Sequence, residues 1–330
     1  MLPIAMTTGA SSYILYHSLP SLHSFGPALS EIVTFLQPAL IFAMLFLTFC
    51  RIEPRDLKPH RWHWWLLLIQ GGVFLALGGV AAFLMKLAQG SVENWLVLIQ
   101  SAMLCFICPT ATAAAVVTRK LGGDVPGITT YIVLINILAA VLIPLVIPMF
   151  QVGAEFSFWT AFLLIIAKVF PLLIIPCLCA WLVRYFFTRL HKILVAYPDL
   201  PFYIWSVALT LAISVTTRSI LHSSMPIGLI AMMSIVSLIC CAMQFALGRY
   251  VGAMYKPRRK TSSQELDAEI ERRGRALREV TAGQSLGQKN TVFAIWLAYT
   301  FLTPETAIVG GLYSIWHNIY NSWQLNRKQG

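Results

Sequence analysis

Apolar stretches separated by short clusters of charge, Pro and Gly follow one another along the chain. A helix needs about 20 apolar residues to cross the hydrocarbon of a bilayer, and ten stretches approach or exceed that length. They span residues 3–19, 29–49, 63–87, 95–118, 126–150, 157–187, 201–217, 225–250, 281–302 and 304–325. The first and seventh are short and carry Thr and Ser. The pattern predicts an all-α integral membrane protein of ten transmembrane helices in a single domain, residues 1–330.

Composition narrows this reading. Of 330 residues, 58% are hydrophobic and 11% are charged, against roughly 25% charged in an ordinary soluble domain. A disordered chain, a coiled coil and most soluble enzymes are thereby excluded. The net charge of +11 reflects where the bases lie and does not point to nucleic acid. All but four of the 24 Lys and Arg residues, namely Lys86, Lys168, Arg218 and Lys289, fall on one side of a ten-span arrangement. Such loops face the cytoplasm, so both termini are expected there, with a bacterial inner membrane as the setting. Residues 1–16 have no basic front, so they read as a first helix and not as a signal peptide. Residues 254–279 form the one long cytoplasmic loop, suited to a short surface helix against anionic headgroups. Ten spans divide into five and five, which gives the halves opposite orientations, as in inverted-repeat carriers.

Ionisable groups inside the hydrocarbon are rare because each costs roughly 2.5–3.5 kcal/mol on insertion scales. Only Lys168 and Lys289 sit deep in spans, and all 13 acids lie in loops or near span ends. Two lysines without acids favour an anionic solute, unless they snorkel or bond the carbonyls of a broken helix. Around Lys289 runs a polar stretch, Gly283 to Thr291. Cys108-Pro109-Thr110-Ala111-Thr112 interrupts the fourth span in a similar way, because Pro109 removes a backbone donor. Non-helical backbone at that depth is tolerated only where protein buries it or water reaches it. One broken span in each half points to a midplane site. His317 is a candidate proton relay. Cys105-x-x-Cys108 lacks a second pair, so it reads as two small apolar residues. Trp62, Trp64 and Trp65 beside Arg61 read as an interfacial anchor. Zinc-ligand helices and paired mid-membrane carboxylates are missing, which argues against an enzyme.

CPTATAAAVVTRKLGGDV, from Cys108 to Val125, resembles the fourth helix of the bile acid:sodium symporter family, with its C-P-G-G-T-A-S-N pattern before a G-D turn. GQKNT from Gly287 to Thr291 is similar to the family's ninth-helix G-M-Q-N-S, and SIWHN from Ser314 to Asn318 to its tenth-helix S-V-W-H-N. Pro38 to Leu57 and Gln70 fall where the family has its second helix and a third-helix glutamine. The resemblance implies two inverted five-helix repeats, with discontinuous helices four and nine crossing. A panel (about 3–49 and 157–217) would lie beside a core (about 63–150 and 225–325). It also implies alternating access within the lipid bilayer for an amphipathic organic anion, bile-acid-like or a small carboxylate; separately, a monomer is the expectation, with dimerisation left open by the sequence. Thr112, Asn290, His317 and Asn318 would then face the solute.

The family's sodium ligands do not carry over. Ala114 and Ala115 stand at its fourth-helix Ser-Asn, and Ile128 and Ile132 stand at its fifth-helix hydroxyls. Ser285 replaces the ninth-helix glutamate and Lys289 the glutamine, while Gln70 is retained. Alanine and isoleucine offer no side-chain oxygen, so sodium is expected at one weak site at most, and no other cofactor is expected. Lys289, with Gln70, Gln288 and Ser285 about it, becomes the expected coupling group, its ammonium standing where a cation would bind. That predicts sodium-independent transport, as a uniporter, an exchanger or a proton-linked carrier. The alternatives are a transport-inactive sensor or structural protein on the same fold, and a sodium symporter with one altered ion site.

Overall fold

The structure is a computed structural model, and it describes residues 2–87, 93–150, 157–197, 200–255 and 264–329. Those residues form thirteen α-helices joined by short turns. In order they are α1 (Leu2–Ser18), α2 (Gly26–Phe49), α3 (Arg61–Leu87), α4 (Glu93–Ile107), α5 (Ala113–Lys120) and α6 (Val125–Val146). Then come α7 (Phe158–Phe186), α8 (Thr188–Ala196), α9 (Leu200–Leu221), α10 (Ile227–Met254), α11 (Gln264–Gly287), α12 (Thr291–Phe301) and α13 (Pro304–Gln329). Among the described residues six helical segments are long and apolar enough to cross a membrane: Pro20–Phe49, Arg61–Leu87, Val125–Met149, Phe158–Phe186, Tyr203–Leu221 and Ile227–Met254. Their outer faces carry exposed Leu68, Phe83, Leu163, Ile235 and Leu238, side chains that a hydrocarbon solvent accommodates and water does not. The protein is an integral membrane protein.

The predicted spans four and nine are each divided. α4 stops at Ile107 and α5 starts at Ala113; α11 stops at Gly287 and α12 starts at Thr291. The surface helix expected in the long loop is no separate element, because α11 runs without a break from Gln264 to Gly287. Its first half carries the charged pairs Glu269–Arg273 and Arg275–Glu279 at i, i+4 spacing, which support a helix in water. Residues 256–263 of that loop lie outside the described residues. One helix is additional: α8 follows α7 directly, and His191 Nε2 reaches the Cys50 carbonyl at 2.7 Å. Arg184 joins the same corner, bonding the Ile52 carbonyl at 3.3 Å and pairing with Glu53. These donors serve the carbonyl end of α2, where orphan acceptors are expected.

Helix packing brings α1 against α9, α2 against α7 and α9, α3 against α4 and α6, and α10 against α11 and α13. The α10–α11 approach is set by Gly248 and Gly252, one turn apart. A Cβ on Gly248 would lie 2.4 Å from the Ala282 carbonyl oxygen, and one on Gly252 would lie 2.5 Å from that of Arg278. Small residues at this spacing let membrane helices touch backbone to backbone. At the far end of α5, the expected Gly-Asp turn closes the helix. Gly122 takes φ +73°, while the Gly123 N–H bonds the Thr118 carbonyl at 2.8 Å and the Gly122 N–H bonds that of Arg119 at 3.0 Å. This left-handed cap satisfies two end carbonyls and favours glycine. Asp124 N–H then donates to Thr281 Oγ1 at 2.7 Å, seating the turn on α11.

Two expectations change. Trp64 and Trp65 are exposed as an anchor requires, but Trp62 is only 3% exposed and stacks on Tyr131. Beside it the His63 ring joins α3 to α6: Nδ1 accepts from the His60 N–H at 2.7 Å, which leaves Nε2 to donate to the Gly127 carbonyl at 2.9 Å. Lys168 lies on an exposed face of α7, its ammonium 5.8 Å from the centre of the Phe301 ring, a cation–π arrangement.

The glycine contacts give a direct test. Gly248→Ala is expected to lower stability by about 1–3 kcal/mol, because the rigid α11 backbone cannot yield. Gly228→Ala, where nothing lies within 4 Å, is expected to leave the unfolding midpoint in detergent unchanged.

Candidate functional site

Ending two helices inside lipid exposes carbonyls that have no amide one turn ahead. Pro109 lacks an N–H, so the Cys105 carbonyl loses its helical donor; Gln244 Nε2 of α10 supplies one at 3.0 Å. The Phe106 carbonyl accepts from Lys289 Nζ at 3.2 Å. The Cys108 carbonyl accepts from Gln70 Nε2 at 3.0 Å. On α11, the Ser285 carbonyl accepts from Thr110 Oγ1 at 2.6 Å, and the Gly287 carbonyl accepts from the Tyr313 hydroxyl at 2.8 Å. The two breaks also bond each other, as an antiparallel bridge between Thr110 and Lys289. Ala111 N–H donates to the Gln288 carbonyl at 2.9 Å, and Asn290 N–H donates to the Pro109 carbonyl at 2.8 Å.

The sequence-predicted residues distribute unevenly over this arrangement. Gln288, Lys289, Asn290, Ser285 and Gln70 come together at the crossing. Lys289 is 1% exposed, on the C-terminal end of α4, where the helix dipole favours positive charge. Asn290 caps α12, its Oδ1 accepting from the Phe293 N–H at 3.2 Å. Gln70 is engaged at both ends, because Tyr131 Oη donates to its Oε1 at 2.8 Å. Ser285 Oγ and Gln288 Oε1 are buried without a hydrogen-bond partner. Thr112 stands at the start of α5 with no side-chain cap bond. His317 sits one turn beyond, its ring edge-on to Tyr313 at 5.7 Å, with Nδ1 unpartnered. Asn318 Nδ2 bonds back to the Ser314 carbonyl of its own helix at 2.6 Å.

Sequence reasoning missed four participants. Gln244 is a fully buried amide in an apolar helix, and its rarity there was a usable signal. Tyr131 and Tyr313 resemble ordinary apolar-run aromatics, and only their hydroxyl bonds reveal their role. Thr291 lines, with Cys105, Cys108, Lys289 and Tyr313, a closed space of about 10 Å³, room for about one water. Ala114, Ile128 and Ile132, which stand at positions of the family's sodium ligands, are all 0% exposed. Among the described residues no group of three or more His, Cys, Asp or Glu side chains is arranged to hold a metal ion.

Two interrupted helices that bond each other among apolar ones are an arrangement that membrane transporters use. The chain belongs to the SBF-like CPA transporter family, a bile acid:sodium symporter-like family whose model matches residues 11–324. A search of the curated proteins found no match to it.

Removing a donor at the crossing leaves a carbonyl unpaired in a low dielectric, at about 1–3 kcal/mol. Thr110→Val and Gln244→Leu are each expected to destabilise by that amount in detergent unfolding. Thr217→Val, which loses only a bond to the Ile213 carbonyl of its own helix, should stay within about 0.5 kcal/mol of wild type.

Proposed function

We propose that the protein is a secondary transporter of an organic anion that works by alternating access without sodium, Lys289 standing in for a bound cation. The observation that carries this reading is the position of the Lys289 ammonium, fully buried at the meeting of the two breaks and bonded to the Phe106 carbonyl. α5 and α12 begin at the same place, and helix N-termini attract negative charge. A fixed ammonium between two such ends suits a carboxylate or sulfonate. Thr112, Thr291, Asn290, His317 and Asn318 are the proposed polar contacts. The space at the crossing is closed to solutes, so the solute would enter in another conformation, which alternating access requires. The buried apolar side chains of Ala114, Ile128 and Ile132 and the engaged Gln70 oxygen argue against a symporter with one altered site.

The same reading has ten spans in two inverted repeats. α1, α4 with α5, the end of α11 with α12, and α13 join the six long segments as spans. Support comes from matched packing: α3 lies on α4 as α10 lies on α11, and α5 lies on α6 as α12 lies on α13. α1, α2, α7 and α9 would be the panel, the remaining spans the core, and both termini cytoplasmic. No enzymatic chemistry is proposed. A transport-inactive sensor on this fold is the competing reading, favoured only by the closed crossing.

The test is uptake into proteoliposomes of a panel of labelled anions, from bile acids to small carboxylates, in sodium and in choline buffers. Uptake is expected to change less than about threefold with the cation, and Lys289→Ala is expected to abolish it. A loss above about tenfold in choline overturns sodium independence, and no flux for any anion favours the sensor.

A further inference from the structure

Beside the crossing lies a polar seam of which the carrier reading uses only the inner end, His317 and Gln288. α11 carries Gln284, Gln288 follows just past its end, and α13 carries His317, Asn321 and Gln324 on successive turns. The rows meet through side chains: Gln284 Nε2 donates to Asn321 Oδ1 at 2.9 Å and to Gln324 Oε1 at 2.8 Å. At the inner end Tyr313 reaches the Gly287 carbonyl. Each of these polar side chains is more than nine-tenths buried. Gln284 Oε1, Gln288 Oε1, Asn321 Nδ2 and His317 Nδ1 nevertheless have no hydrogen-bond partner, and neither does Ser285 Oγ. α10 packs against both helices, so the seam is closed on that side.

Five unpaired polar atoms along one seam would be very costly if the seam were dry. Buried water that makes two to four bonds to such groups removes the cost. Amides do not transfer protons, but they hold water in line, and an imidazole accepts a proton at one nitrogen and releases one from the other. The seam also has a charged group at each end. Lys289 and Tyr313 flank the inner end, and Lys328, whose ammonium bonds the Lys120 carbonyl at 3.3 Å, belongs to the outer end of α13.

We infer that the α11–α13 seam is a water-filled path that carries protons between Lys289 and the aqueous face at the end of α13. A proton leaves the ammonium for the water beside Tyr313, crosses the His317 ring, and continues along waters held by Gln284, Asn321 and Gln324. The reverse route restores the ammonium. Near Lys289 are Cys105 of α4, Cys108 at the break, Cys240 and Cys241 of α10 and Tyr313 of α13; along α11 are Ser285, Arg249 of α10 beside Gly283, and Thr281, which accepts from the Asp124 N–H at the start of α6. The inference deepens the carrier reading by naming the proton as its coupling species.

Ring N–H exchange tests it without any solute. Histidine-labelled protein in lipid bilayers is moved into D2O and followed by solid-state NMR, with His317 assigned from His317→Gln. His63 is the control, equally buried but with both nitrogens bonded within the protein. His317 is expected to exchange at least tenfold faster than His63, and Asn321→Leu to slow it at least fivefold while the His63 signal stays in place. Exchange of His317 as slow as that of His63, or exchange indifferent to both Asn321→Leu and Gln284→Leu, overturns the path. Fast exchange with no anion flux leaves the path standing and sinks the carrier; flux with a protected His317 does the reverse.

Discussion

A broken helix inside lipid must find donors and acceptors for its freed backbone groups, and in this protein two breaks do so largely through each other. Hydrocarbon offers no hydrogen bonds, so an isolated break would leave several carbonyls unpaired. Pairing Thr110 with Lys289 across an antiparallel bridge satisfies backbone on both sides at once. Gln70, Gln244, Lys289 and Tyr313, drawn from three further elements and from the break itself, bond the carbonyls that the bridge does not reach. The surrounding helices are thereby held in register with the crossing, and rearranging any of them means exchanging these bonds.

Lys289 has two physical tasks at this point. As a donor it completes the end of α4; as a charge it opposes the negative ends of α4 and α11, which meet there. A dissociable cation performs the second task only while bound. A tethered amine performs it whenever it is protonated, at the cost of providing no metal-ion gradient to drive transport. The proposed seam along α13 answers that deficit with protons, because its unpaired amides and imidazole run from the ammonium toward the charged end of the helix.

Much of this was legible in the residues themselves. Pro109 announces the first break by chemistry, and the two glycines flanking Gln284 and Gln288 announce the second, because polar and flexible residues in a lipid-crossing run need a reason. The Gly-Asp turn after α5 was equally readable, since a left-handed cap favours glycine. Less visible were α8, whose apolar and basic residues read as a continuation of the α7 boundary, and the continuity of α11, whose charged first half looks like a separate loop. Trp62 shows the same limit: three tryptophans near one boundary look alike until one is found turned inward against Tyr131.

The chain alone determined the membrane setting, the helical class, the two interruptions and the buried lysine, because each follows from local composition set against the cost of polar groups in hydrocarbon. The tertiary structure decided which freed carbonyl each polar side chain would serve, that Gln70 is consumed by Tyr131 and Cys108, and that Lys168 lies against the Phe301 ring. Those outcomes depend on which faces meet across long sequence separations, and no local pattern encodes them.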